Sequence, residues 1–598
     1  MRWVALIVAL AGCQSGYQDG FAVDLTIAVD DTVSGADLAT LALSVSGAEV
    51  FADTIDAAGK LSGGRAGYLY RPTLGARGPL HFALTGQDAT GTLIAVGATD
   101  VELVVGGTTT ALVTLTSSVA RCGATPPAGL RTDFYVDSKL APDSPVNGEQ
   151  RCPFPSITAA VAAASLSSAV SKTVHVAAGT YDSPRERFPI ELRNGISLVG
   201  EGAAVTNVVG AGLYDHGPAG GTVGQVWWVS LLIGDPASTQ TLSGISLSPG
   251  TLGSMQWGIY CDQGNAYRPT GPAATTPNLI VDQVATQGFD RSIVIGTSDR
   301  PAPSGCAAKL TRSTVASVGV GLFVAGAGFT DLGGSNNPNQ ASVEVGDGTD
   351  AGANTFAGNR NPGTTGTGAN HKATGVLVFD GSTPVSFRHN VFSDNDLGMQ
   401  LVNFGPAIVA DIDGNTFSGM TGGAVQLGGN YHLRSLSNNF FGNNNATAST
   451  SQTTCGTLTL SAAVCVRGYG TIPPGPQIER ARNNVFSGND VGLYVEGTPF
   501  SVGKTRLFDF GTNADPGGNL FVCNSTERAS PGYDVWFNTG SSSAVVPFAG
   551  NGWDHATPTR GAAAAADRID LVVTTGGPTL DLAGSVWHGK PCPSPHNP

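Results

Sequence analysis

Asn390-Val-Phe-Ser-Asp-Asn395, Asn415-Thr-Phe-Ser-Gly419 and Asn439-Phe-Phe-Gly-Asn-Asn444 start 25 and 24 residues apart. Three further segments carry the same Asn-x-Phe: Asn354-Thr-Phe-Ala-Gly-Asn359, Asn484-Val-Phe-Ser-Gly-Asn489 and Asn519-Leu-Phe-Val-Cys-Asn524. The five successive spacings are 36, 25, 24, 45 and 35 residues. A unit near 24 residues suits one coil of three short strands, with the excess in inserted loops. A second apolar strand follows most repeats, as in Gly375-Val-Leu-Val-Phe379, Gly398-Met-Gln-Leu-Val402 and Gly492-Leu-Tyr-Val495. Coils stacked about 4.8 Å apart form parallel sheets. The phenylalanines then stack inside. The asparagines sit at the bend, where Asn tolerates left-handed backbone and its amide can bond to the next coil. Sandwich and propeller repeats run to ~40 residues or more, so the shorter steps disfavour both.

The rest of the 598-residue chain fits an all-β protein. Glycine takes 83 places, and only 13% of residues are charged against 41% hydrophobic. Glu and Lys are too scarce for a helical bundle, while Thr, Val, Asn and Ser favour strands and turns. The net charge of −14 argues against a nucleic-acid partner, which needs Lys and Arg to displace phosphate counterions.

The amino end opens Met1-Arg2-Trp3 and runs apolar from Val4 to Leu10, the pattern of a secretory signal. It is too short to span a bilayer. Leu10-Ala11-Gly12-Cys13 resembles a bacterial lipobox. The resemblance implies cleavage after Gly12, lipidation of Cys13 and, with Gln14 next, placement at the outer membrane, facing periplasm or cell surface. Residues 1–12 are then a lipoprotein signal peptide and 13–20 a lipidated tether. Eight cysteines remain, and export permits disulfides. Sequential pairing, expected where contacts stay local, gives Cys122–Cys152, Cys261–Cys306, Cys455–Cys465 and Cys523–Cys592.

Residues 21–120 alternate apolar and polar positions: Leu25, Ile27, Val29; Leu41, Leu43, Val45; Leu80, Phe82, Leu84; Val101, Leu103, Val105; Leu112, Val113, Leu115. About seven strands in ~100 residues predict a small immunoglobulin-like β-sandwich. Residues 121–132, with Pro126-Pro127, read as a linker. Residues 133–598 read as a right-handed parallel β-helix with an N-terminal capping helix, Ser156 as its cap and Ile157, Ala160, Val161 and Ala164 on one face. Tyr135-Val-Asp137, Pro153-Phe-Pro-Ser-Ile-Thr158, Ala178-Gly-Thr-Tyr181, Phe188-Pro-Ile190 and Gly195-Ile-Ser-Leu-Val-Gly-Glu201 resemble the opening of right-handed parallel β-helices of the pectin-lyase-like kind, and most closely the DUF1565-type family. The resemblance implies architecture and no settled activity.

Counting back from each Asn, position −3 is apolar in four coils: Phe387, Ile412, Leu436 and Ala481. Alternation then turns −2 and −4 outward. These hold Ser386 and Arg388, Asp411 and Asp413, Ser435 and Ser437, Arg480 and Arg482, which places Arg388 beside Asp413. β-helix enzymes acting on acidic polysaccharides bind the chain along an outer sheet, and lyases of this shape hold calcium with carboxylates and use Arg or Lys as base. The catalytic candidates are therefore Asp411, Asp413, Arg388, Arg480 and Arg482. Asp394, Asp396, Asp411 and Asp413 are candidate ligands for Ca2+, which takes six to eight oxygens. The plain alternative is a salt-bridged solvent face. No serine or cysteine has an adjacent base motif.

The leading reading is a lipid-anchored envelope protein whose β-helix binds glycan or another surface partner without turnover. The alternatives are an enzyme that degrades an acidic glycan, as a polysaccharide lyase or glycoside hydrolase, and a structural or adhesion protein. The membrane is met through the lipid alone, and nucleic acid is excluded as a partner. Cys13→Ser should therefore move the protein from the membrane to the soluble fraction. Fractionation of cells carrying the variant checks this, and unchanged sedimentation with outer membranes would refute the anchor.

Overall fold

In the computed structural model, the described residues are 22–587 except 31–32, 74–77, 104–106, 118–130, 142–145, 151, 194, 216–225, 234–238, 251–255, 262–277, 296–305, 326–341, 361–372, 380–384, 446–454, 456–459, 469–474, 498–507, 525–532, 541–543, 555–557, 559 and 562–568. The signal and lipobox positions through Cys13 lie outside them. The chain divides into two compact units: residues 1–127 with 140–154, and residues 128–139 with 155–598.

The first unit is a seven-stranded β-sandwich: β1 (Ala22–Val29), β2 (Thr40–Gly47), β3 (Phe51–Asp56), β4 (Arg65–Tyr70), β5 (Pro79–Gln87), β6 (Leu93–Glu102) and β7 (Thr108–Ser117). The strand order is β3-β2-β5-β6-β7-β1-β4, antiparallel except where β1 runs parallel to β7. Alternation puts Val23, Leu25 and Ile27 into the core opposite Leu41, Leu43, Val45 and Phe82. One expected core position is corrected. Leu112 is exposed, because Val113 and Leu115 take the inward phase of β7 and a strand cannot bury three of four consecutive residues on one face.

The second unit is a parallel β-helix whose coils have three faces, here called A, B and C. Its crossovers are right-handed, the sense such connections take. A capping helix, α1 (Ile157–Ser165), closes the start. Ser156 accepts from Ala159 N at 3.2 Å, and Ile157, Ala160, Val161 and Ala164 are buried. The Glu186 carboxylate adds a second cap, accepting from Ile157 N at 2.7 Å and Thr158 N at 2.8 Å. Face A stacks Val385–Arg388 on the end of Leu397–Asp413, then on the end of Val425–Ser437. Face B stacks the Asn-x-Phe strands Thr355–Ala357, Val391–Ser393, Thr416–Ser418, Phe440–Gly442, Val485–Ser487 and Leu520–Val522. Face C stacks Thr374–Phe379 on the start of Leu397–Asp413, and Val491–Gly497 on Tyr533–Thr539.

The repeat residues do what their spacing predicts. Phe356, Phe392, Phe417, Phe441, Phe486 and Phe521 stack nearly parallel, with neighbouring ring centroids 4.5 to 5.1 Å apart. Trp553 continues the column 5.0 Å from Phe521. The asparagines form a buried ladder at the A-to-B corner: Asn415 N and Nδ2 both donate to Asn439 Oδ1, at 2.9 and 3.1 Å, and Nδ2 also reaches Phe387 O at 2.9 Å. The pattern links Asn354, Asn390, Asn415, Asn439, Asn484, Asn519 and Asn551. A second ladder at the B-to-C corner links Asn359 to Asn395, and Asn444 to Asn489 and Asn524. The residue just before the first ladder turns the chain in left-handed backbone, as at His389 (φ 55°) and Asn483 (φ 55°).

Two of the expected disulfides are present, Cys261–Cys306 and Cys455–Cys465. Cys152 and Cys523 are also disulfide-bonded, and their expected partners Cys122 and Cys592 lie outside the described residues.

Removing one ladder amide orphans buried donors on the preceding rung and takes a donor from buried acceptors. Asn439 is 1% exposed and also donates to Ile412 O and Asn484 Oδ1. Asn439→Ala should cost about 2–4 kcal/mol, against about 0.5 kcal/mol or less for Ser393→Ala on the outer side of face B. Urea denaturation of the soluble chain measures both.

Candidate functional site

The outer side of face A carries the predicted charged rows. Arg388 pairs in register with Asp413, and Ser386 with Asp411. All four position −3 residues are buried and inward. The ion pairing, however, centres on a residue the repeat arithmetic passed over. Arg434 forks onto Asp411, Nε to Oδ1 at 2.9 Å and Nη2 to Oδ2. The register shifts by one between Ala410 and Asp411, where Leu433 and Ser435 are the successive partners, so Arg434 projects from a bulge. Its guanidinium is held above its ordinary value, first by the hydrogen bonds to Asp411. Arg388 adds a looser contact to Asp411 at 4.0 Å. Asp411 is thereby left 8% exposed between two arginines. Asp413 accepts from Asn438 Nδ2 at 2.8 Å.

Arg480 and Arg482 are the next pair along the rows, and they differ sharply. Arg480 is exposed, with Nε 3.3 Å from Asp515 Oδ2. Arg482 is 2% exposed, so the expected outward clamp is instead a buried pin. It donates to Asp509 Oδ1 at 3.0 Å, Asp515 Oδ2 at 2.8 Å, Asp509 O at 3.1 Å and Ala481 O at 2.8 Å. Segment 508–517 lies over it and uses it as an anchor. Burial opposes the Arg482 charge most, yet the bonds to Asp515 and Asp509 outweigh that and hold it above its ordinary value.

The expected calcium quartet is not brought together. Asp394 and Asp396 follow the face B strand Val391–Ser393, whereas Asp411 and Asp413 end a face A strand. Asp394 pairs with Arg360 at 3.4 Å, and Asp396 accepts from Thr421 Oγ1 at 3.2 Å and Ala373 N at 3.3 Å. Corners of one coil are separated by the core, which a count along the sequence does not register.

Among the described residues, one group of acids is close enough to share a cation: Asp534, Asp554 and Asp570, with ligand atoms within 4.8 Å of one another. Asp534 is 3% exposed and Asp570 2%. Burial, then the charges of Asp554 and Asp570, hold the Asp534 carboxyl well above the usual carboxylate range. No Asn-x-Phe position contains these residues, and the only sequence signal was an Asp inside an apolar strand, in Tyr533-Asp-Val535 and again in Ile569-Asp-Leu571.

Residues 142–231 match the family described as Protein of unknown function (DUF1565). The resemblance read from the capping region is borne out over that stretch, which holds α1 and the first coils. The sequence matches no curated protein. Solved structures similar to the chain include the catalytic domain of a GH87 alpha-1,3-glucanase in complex with nigerose (12% identity, 95% of this chain and 89% of that chain, TM-score 0.32). Others are tailspike protein 3 of bacteriophage CBA120 (12%, 77% and 62%, 0.37) and the A-module of the Azotobacter vinelandii mannuronan C-5 epimerase AlgE4 (14%, 72% and 95%, 0.29). At these scores none superposes on the chain as a whole.

The buried pin and its exposed neighbour make a direct test of the face A charges. Arg482→Leu should cost about 2–3 kcal/mol, a buried-pair loss reduced because its partners are partly exposed. Arg480→Leu should cost about 0–1 kcal/mol. The Asp515 carboxyl is held below its ordinary 3.8, first by the Arg482 hydrogen bond and then by Arg480. Its contribution is present above the unfolded value and lost as pH falls through the lowered folded one. The gap between wild type and Arg482→Leu should therefore be flat from about pH 5 to 8 and narrow below about pH 4. Thermal melts across pH check both statements.

Proposed function

We propose that this chain is a non-catalytic envelope β-helix, anchored through lipidated Cys13, that binds an uncharged glycan chain along the outer side of face B. The observation that carries the reading is the character of that strip. One outward row runs Thr355, Val391, Thr416, Phe440, Val485, Leu520, and the parallel row runs Ala357, Ser393, Ser418, Gly442, Ser487. None of these eleven side chains is ionisable, in contrast to the charged rows of face A. Val391 is 37% exposed and Phe440 41%. Pyranose rings offer apolar C–H faces and equatorial hydroxyls, and a flat strip of methyl, hydroxyl and one aromatic group matches both. None of the eleven positions offers a cation to an acidic polymer.

Face A supports catalysis less well. A general base must be free to take a proton, whereas Asp411 is forked by Arg434 and Arg482 is locked under segment 508–517. The hydrolase geometry needs two carboxylates facing a groove, and Asp411 and Asp413 instead sit along one strand, each already bonded.

The test is retention of the soluble chain, starting at Gln14, on a panel of neutral and acidic polysaccharides. Binding to a neutral polymer is expected, weakened about tenfold or more by Thr416→Glu, which puts an unpaired charge mid-strip, and unchanged by Asp413→Asn. Release of unsaturated products from an acidic glycan, or binding lost with Asp413→Asn and kept with Thr416→Glu, would overturn the proposal in favour of a face A enzyme or binder.

A further inference from the structure

One position of the coil changes character at the carboxyl end. On face C, the strand register aligns Gly321, Gly375, Gly398, Ala424, Ala463, Gly492, Asp534 and Asp570 as one column. The column faces inward, and its glycines have no room for more. A Cβ at Gly398 would lie 2.6 Å from Ala424 O and 3.0 Å from the Phe417 ring, and one at Gly492 would lie 2.5 Å from Asp534 O. Six coils thus keep the position glycine or alanine, and the two that follow place a carboxylate there. A charge put into a tight column on two consecutive rungs is not a by-product of the repeat.

The oxygens are held in fixed directions. The second asparagine ladder, at the B-to-C corner, ends with Asn524, whose Nδ2 donates to Asp534 Oδ1 at 2.6 Å where the earlier coils supply an asparagine. Asp534 Oδ2 is buried and receives no donor among the described residues, and the neighbour one rung on in its column is Asp570. Asp554 enters from the Asn551-Gly-Trp-Asp554 turn, and its Oδ2 accepts from Cys523 N at 3.2 Å. Three carboxylates this close, two of them almost fully buried, cannot all carry charge without a neutralising partner. A proton or a cation can supply it.

We propose that Asp534, Asp554 and Asp570 bind a hard divalent cation of the calcium class, which ties the last coils of the β-helix together. All three donors are oxygen, which favours Ca2+ over the softer metals that take nitrogen or sulfur. The ion bridges two adjacent face C strands and the face B turn between them, taking over where the second asparagine ladder stops. It acts on the closing end of the helix and is independent of any ligand on face B.

The experiment is hydrogen exchange of residues 520–587 in the wild-type soluble chain, after chelation and after adding Ca2+ alone, with thermal melts alongside. Slower exchange confined to those coils and a melting point raised by roughly 3 °C at ~100-fold excess over Kd are expected. Asp534→Asn keeps an acceptor for Asn524 and should fold, yet lose the calcium response. Asp570→Asn should lose it as well. The protonated alternative has its own signature: the chelated protein loses stability as pH rises from about 4 to 8, because only the folded state holds the extra proton, and Ca2+ does not restore it. That result, or a full calcium response in Asp534→Asn, overturns the proposal.

Discussion

A buried side-chain amide that accepts from one rung while donating to another is the contact on which the β-helix depends. From Asn354 to Asn551 successive coils place an asparagine at the A-to-B corner. Its Oδ1 accepts the backbone N–H and the amide of the preceding rung's asparagine, and its own Nδ2 bonds onward, as Asn415 does to Asn439. The bends where strands stop would otherwise leave backbone groups buried and unpaired, each at a cost of about 1–3 kcal/mol. The phenylalanine two residues later fills the space that the ladder encloses. Register between rungs is thereby set twice, by hydrogen bonds at the corner and by ring stacking inside.

With the interior occupied by rung-to-rung contacts, the three outer sides are free to differ. Face A spends its outward positions on paired charges, tied together by Arg434 on Asp411 and by Arg482 under segment 508–517. Face B keeps small, uncharged, partly apolar side chains in straight rows. Face C carries apolar clusters, including one around the Cys455–Cys465 disulfide with Tyr494 and Tyr533. The division explains why the charged strip, which draws the eye in the sequence, is the part of the surface most fully committed to holding the fold.

The end of the repeat sets a separate problem. A ladder of identical amides has one unmatched donor at its last rung, and Asn524 meets it with Asp534. A carboxylate serves where no further asparagine follows, but it brings a charge into a column built for glycine. The three-acid group grows out of that substitution, and so chemistry and coil termination meet in the same few residues.

Much of this was legible in the chain. The 24- and 25-residue steps of Asn-x-Phe determined the coil, the buried phenylalanine column and the corner asparagines, because each coil repeats one local environment and local environment selects residue type. The Ser156 cap and the apolar face of α1 were equally local. So were the inward phases of face A, which alternation sets by itself, and the Cys455–Cys465 disulfide, only ten residues apart. Tertiary structure alone decided which outward residues meet. A single-residue bulge before Asp411 brought Arg434 in place of a serine, segment 508–517 folded over Arg482 and buried it, and the turn from one strand to the next carried Asp394 and Asp396 away from Asp411 and Asp413. The Asp534, Asp554 and Asp570 group unites residues from three separate elements, and their closeness depends on how the coils are stacked. Periodicity states which face a side chain takes, while bulges, crossing segments and rung register state what it touches there.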